Sequence, residues 1–161
     1  MKNIMFLLFT FVVSTLDCSS SKIPSFIQDE SHFLENVQNR KLDSLYREHE
    51  KKTSNEIALL VIDTNIFIND LKKYGVEFGK DVGIGKKKKN NGLLIIFCYK
   101  CKRIEIVTGK GTEKVLTNRI IKSIIDDNMI PLFKEKRYFE GIEKGSEAIV
   151  RFLERPENKI K

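Results

Sequence analysis

The chain is 161 residues long but has only two histidines and three cysteines, and each scarcity removes chemistry. His32 and His49 both lie in a polar, helix-prone N-terminal stretch. Neither stands in a loop after a strand, so no serine, histidine and acid triad can be assembled around them. They also lack the pairing spacing that would complete a zinc site with the cysteine pair Cys98-Tyr99-Lys100-Cys101. The chain has no long apolar run: Ile4 to Val13, at about ten residues, is too short to span a bilayer comfortably. Aromatic residues do not interleave with the basic ones, which removes the stacking platform of a single-strand nucleic-acid binder.

The sequence also lacks the glycines of a nucleotide loop. In "GIGKKKKNNGLLIIF", Gly83 to Phe97, a G-x-x-x-x-G-K pattern would need glycine at Lys80, and G-x-G-x-x-G would need one at Lys88. A nucleotide loop opens a helix whose amides meet the phosphate, whereas this stretch leads into a strand.

What is present fits one domain with a single core: 41% of the residues are hydrophobic, 32% are charged, and the formal net charge is +7. Such a charge favours anionic partners, either acidic protein or anionic lipid, and nucleic acid is excluded for an exported chain. Export is expected because Lys2, the short apolar run and the serine cluster Ser19 to Ser21 form a signal-peptide pattern over residues 1–21. Cys18 occupies the place of a lipid-bearing cysteine, although Thr15-Leu16-Asp17 departs from the usual residues before one. The two outcomes are a lipid anchor at Cys18 and ordinary cleavage near the serines. The chain is expected at the cell envelope, periplasmic or lipid-anchored, with a linker over 22–38, a domain over 39–154 and a polar tail over 155–161.

Hydrophobic spacing gives the elements. Ser31 to Lys52 is helix-prone, "EIALLVID" (Glu56 to Asp63) reads as a buried strand, and Ile68 to Asp81 reads as an amphipathic helix after a turn at Asn65. "GLLIIFCY" and "KRIEIVTG" read as an antiparallel hairpin. Asn118 to Asp127 and Tyr138 to Leu153 are helical, with Pro131 expected to break the chain between them. Fully apolar strands need cover on both faces, so a mixed sheet between helices follows.

Strand ends and the loops after them are where open α/β sheets place ligands. Asp63 and Glu113 are the candidate catalytic carboxylates. If the strand ends converge, Asp63 and Glu113, with the amides of Asn91 and Asn118, are the candidate ligands of a calcium or magnesium ion. Gly83, Gly85 and Gly92 serve the turn into the second strand, and Gly109 and Gly111 are expected to permit positive φ at the exit from the third. Lys86, Lys87, Lys88 and Lys89 are either a solvated loop or a contact to an anionic partner. Cys98 and Cys101 are open to a disulfide across the hairpin, two free thiols, a redox pair or half a zinc site.

The blocks "EIALLVID", "GVEFGKDVGIGKKKKNNGLLIIF", "RIEIVTGKGTEKVLTN" and "IIDDNMIPLFKEKRYFEGIEKG" resemble, in order, those of the TPM domain. That family includes exported or membrane-anchored bacterial proteins and photosystem-repair proteins of the thylakoid lumen. The resemblance implies an α/β/α three-layer sandwich outside the cytoplasm; some members look like divalent-metal phosphatases and others act in assembly or repair. Gly83 and Gly85 match its glycine pair, Asn90-Asn91-Gly92 its "DNG", Gly109, Gly111 and Glu113 its "GxGxE", and Asn118 the aspartate after "LT". Two expected acids, at Asn90 and Asn118, are therefore amides. Two functions are compatible with this: a noncatalytic exported module that binds an envelope or membrane-associated protein or an anionic surface, and a metal-dependent phosphatase acting on phosphate esters.

Overall fold

The computed structural model describes residues 25–63 and 70–160. The expected signal segment, Cys18, the turn at Asn65 and Ile68 lie outside the described residues. Strands β1 (Ile27–Asp29), β2 (Glu56–Ile62), β3 (Gly92–Cys98) and β4 (Arg103–Thr108) form one sheet in chain order. The first three are parallel and β4 runs antiparallel to β3 through the expected hairpin.

Every residue of β2 and β3 is buried, which is why these strands read as unbroken apolar runs rather than alternating ones. Ile57, Leu59 and Val61 share one core with Leu93, Ile95 and Phe97, whereas Ala58, Leu60 and Ile62 share the other with Leu94, Ile96 and Cys98. Helix α1 (Asn36–Thr53) and the C-terminal helices cover the first face, and α2 (Leu71–Val82) covers the second. The fold is thus the expected α/β sandwich with helices on both faces.

Two local differences from the sequence pattern have physical causes. The stretch read as linker contains β1, and α1 begins only at Asn36. Asp29 tethers the intervening turn by accepting from the Ser31 N–H at 3.1 Å and the Leu34 N–H at 2.7 Å. A three-residue edge strand is too short to show periodicity. Pro131, expected to break the chain between helices, lies instead inside a continuous helical run, second in α5 (Ile130–Lys134) and directly after a π-helical turn, the kind of irregularity at which a helix accommodates proline. Helix α4 (Asn118–Ile124) runs into it through a π-helical turn at Ile125–Met129, and the break comes at Lys136, whose φ is 62°. Helix α6 (Tyr138–Leu153) then packs against this bend. A side chain at Gly145 would put its Cβ 1.9 Å from the Met129 methyl, so glycine permits the close approach.

Helices α1 and α6 are joined by two buried polar contacts. Tyr46 Oη and Ser146 Oγ lie 2.7 Å apart, and burial pushes the Tyr46 pKa above its ordinary value. His49 is fully buried, with Nδ1 3.3 Å from Glu154 Oε1 and Nε2 3.3 Å from Thr53 Oγ1. Burial lowers the His49 pKa below 6.5, and the Glu154 carboxylate only partly offsets this. The unfolded chain takes up a proton near 6.5 that the folded chain refuses, so stability is full above that pH and declines as pH falls below it. The urea midpoint is therefore expected to drop between about pH 7 and about pH 5, the range in which histidine titrates. The His49→Gln chain, titrated in parallel, is expected to show a smaller drop; an equal drop would locate the cause elsewhere.

Candidate functional site

Parallel pairing sorts the candidate residues between two ends of the sheet. At one rim lie the starts of β2 and β3 and the end of β4, with Glu56 opposite Gly92 and Leu93 opposite Thr108. Asn91, Gly109 and Glu113 belong to this rim. Asp63 lies at the other, beyond the end of β2 and about 20 Å away along a seven-residue strand. There Asp63 Oδ2 sits 3.1 Å from Lys100 Nζ, beside a disulfide joining Cys98 to Cys101. The metal quartet is therefore not brought together: Asp63 is separated from Asn91 and Glu113 by the length of the sheet. Among the described residues no group of three or more histidine, cysteine or acidic side chains could hold a metal ion.

The rim is built around Asn91, which is 1% exposed. Its Oδ1 accepts from the Lys86 N–H at 2.9 Å, and its Nδ2 donates to Ser54 O at 2.7 Å and to Asn55 Oδ1 at 3.0 Å. The side chain is thus spent on locking the lysine loop to the end of α1, and its oxygen already has a donor. Gly83 caps α2 at φ 79° and Gly85 follows at φ 95°, both in the left-handed region that favours glycine. Gly109 and Gly111 do not need positive φ: Gly109 is extended at φ −68° and Gly111 is helical. They are glycine because the loop backbone lies on top of them. A Cβ at Gly109 would stand 2.3 Å from Asn90 O, and one at Gly111 would stand 2.0 Å from Lys89 O. Asn90 O in turn accepts from the Gly111 N–H at 2.9 Å. Gly92 obeys the same rule, with Ile84 O 2.5 Å from its would-be Cβ.

The four lysines are not equivalent. Lys86 Nζ bridges Glu50 Oε1 at 3.0 Å and Glu56 Oε1 at 2.5 Å. Glu56 is 6% exposed and also accepts from the Gly85 N–H at 2.6 Å. These carboxylates raise the Lys86 pKa and hold it as the internal counterion of a buried acid. Lys89 Nζ reaches Ser54 Oγ at 3.3 Å. Lys87 and Lys88 are exposed and make no ion pair among the described residues. The sequence pattern hides Lys86's role, although a charged residue heading an apolar strand, as Glu56 does, signals a buried acid that needs a partner.

Glu113 stands exposed in the short helix α3 (Lys110–Glu113), and Asn118 is the exposed first residue of α4. Between this rim and α2 lies an open groove of about 1430 Å³ whose lining includes Val76, Val82 and Ile84, the lysines Lys80, Lys87 and Lys110, and the acids Glu50, Glu56 and Asp81. The arrangement presents cationic side chains on a backbone fixed by hydrogen bonds and close glycine contacts. It can therefore offer charge to an anion without first ordering the loop.

The family model described as TPM domain matches residues 27–152. Among solved structures, the N-terminal domain of a protein from P. gingivalis is 29% identical, with a TM-score of 0.74 over 80% of this chain and 82% of that one. The BA42 protein of the psychrophilic bacterium Bizionia argentinensis is 22% identical, with a TM-score of 0.66 over 78% of this chain and 84% of that one. The N-terminal domain of the cg2496 protein of Corynebacterium glutamicum is 7% identical, with a TM-score of 0.63 over 83% of each chain. At 22% and 7% identity the last two speak to fold alone. No curated protein matches the chain.

Two sets of substitutions test this arrangement by urea denaturation. Gly111→Ala forces the Lys89 carbonyl aside and is expected to cost about 2–3 kcal/mol, as overpacking does. Gly83→Ala meets open space and carries only the left-handed backbone penalty, about 1 kcal/mol. Lys86→Met strands the Glu56 carboxylate and is expected to cost about 1–2 kcal/mol, whereas Lys88→Met should stay within about 0.5 kcal/mol of the parent chain. Equal effects of the two lysine substitutions would remove the counterion role from Lys86.

Proposed function

Because the chain belongs to the TPM domain family, we propose that it is an exported, noncatalytic TPM module that binds an anionic partner at the cell envelope and serves assembly or maintenance there. The observation that carries this reading is the asymmetry of the lysine loop. Lys86 is held inward as the shared counterion of Glu50 and Glu56, the Asn91 latch fixes the backbone, and Lys87 and Lys88 are left facing outward. A loop needed only for solubility does not require a buried asparagine and close-packed glycines beneath it.

Catalysis is the less favoured use of the same rim. A hard cation that polarises a phosphoryl oxygen needs several anionic oxygens around it. On this rim Glu113 is exposed in α3, the neighbouring family positions are the amides Asn90 and Asn118, and Asp63 is at the far end. The phosphatase reading rests on Glu113 alone.

Turnover of p-nitrophenyl phosphate by the purified chain, with calcium, with magnesium and with chelator, is expected to be no faster than the buffer blank. Metal-dependent hydrolysis that disappears in Glu113→Ala would overturn the noncatalytic reading. On a polyglutamate matrix, the parent chain is expected to elute at clearly higher salt than the Lys87→Glu, Lys88→Glu double variant; identical elution would remove the lysine loop as the contact.

A further inference from the structure

We propose that the anionic partner is a phospholipid bilayer, against which the lysine rim lies with the sheet's opposite end pointing away; this rests on the anionic-partner reading above. The place where the chain enters the fold is what orients the domain. Strand β1 is parallel to β2, with Ile27 opposite Leu59. Extending that register backwards sets Ser25 level with Ile57, one residue above Glu56 at the lysine rim. Strands β1 and β3 are separated by β2 alone, so this entry lies about 10 Å from the start of β3. The residues ahead of Ser25 carry the apolar run Ile4 to Val13 and Cys18. Cys18 stands seven positions ahead of Ser25, a stretch that reaches at most about 25 Å. An attachment at Cys18 would therefore hold the lysine rim within about 25 Å of the bilayer.

The charges on that rim fit the surface it would meet. Lys87, Lys88 and Lys89 are exposed on the loop, Lys110 is exposed at the start of α3, and Lys51 is exposed in the last turn of α1, which ends beside β2. The acids Glu50 and Glu56 share the single charge of Lys86, and Asp81 is exposed at the end of α2. Glu113 is an exposed carboxylate on this side, flanked by Lys110 and Lys114. At the other end Lys100 is paired with Asp63, and Lys102 and Lys136 lie a strand length away, about 20 Å. That exceeds the Debye length of about 8 Å at physiological salt, so the far end does not feel a surface that the rim touches. An acidic protein would meet the same lysines; the bilayer is preferred because an attachment at Cys18 brings it to this end of the sheet.

The test footprints lysines in the full chain with an amine-reactive ester read by mass spectrometry. On phosphatidylglycerol-containing vesicles, labelling of Lys87 and Lys88 is expected to fall about fivefold relative to the same chain on phosphatidylcholine vesicles. Lys102 and Lys136 should label as in solution, and high salt should restore the rim. Equal labelling of the rim on the two vesicle types, or equal protection of both ends, overturns the bilayer. If polyglutamate protects Lys87 and Lys88 where anionic vesicles do not, the bilayer falls and the anionic-partner reading stands. Protection by neither removes both.

Discussion

The in-register pairing of β2 with β3 is the constraint on which the rest of the structure depends. Both strands are buried along their whole length and from both sides. Backbone groups in such a place must find partners in the ladder, and side chains must find apolar neighbours above and below. The sandwich follows from this, because one layer of helices would leave a face of Ala58, Leu60, Leu94 and Ile96 in water. So does the location of polar chemistry, since between two dry faces the only room for charge is at the ends of the strands.

At the end where β2 and β3 begin, this constraint sharpens into a small polar knot. Glu56 and Asn91 are both buried at strand starts, and each would be costly without partners. They satisfy one another's neighbourhoods: Asn91 O accepts from the Glu56 N–H at 3.2 Å, the Asn91 side chain gathers Ser54, Asn55 and Lys86, and Lys86 supplies the charge that Glu56 lacks. The glycines of the rim belong to the same knot. They are small so that the loop can lie directly over α3, with the Asn90 carbonyl accepting from the Gly111 and Thr112 N–H groups beneath. A loop held this way displays its remaining lysines in a fixed place, and fixed charge loses less entropy on binding than mobile charge.

The direction of β1 connects this knot to the rest of the chain. A parallel first strand starts at the same rim as β2 and β3, so Ser25, where the described chain begins, and the lysine loop lie on the same side of the domain. An antiparallel β1 would have put them at opposite ends of the sheet.

The sequence by itself determined the layers. The apolar runs of β2 and β3, the hairpin and the helical spacing of Tyr138 to Leu153 are local patterns, and local hydrophobic period is sufficient to read them. It also carried the family resemblance, because ordered blocks survive in one dimension. Tertiary structure alone decided the edge strand β1, which is too short for periodicity, and the continuation of helix through Pro131, where a π-helical turn absorbs the missing hydrogen bond. It alone separated Asp63 from Glu113, since strand direction, not sequence distance, determines which ends share a rim. It also turned Gly109 and Gly111 from conformational devices into clearance for a carbonyl, and split one lysine run into a counterion and a surface. Those distinctions depend on what lies across from each residue, and a contact between segments distant along the chain has no local pattern to announce it.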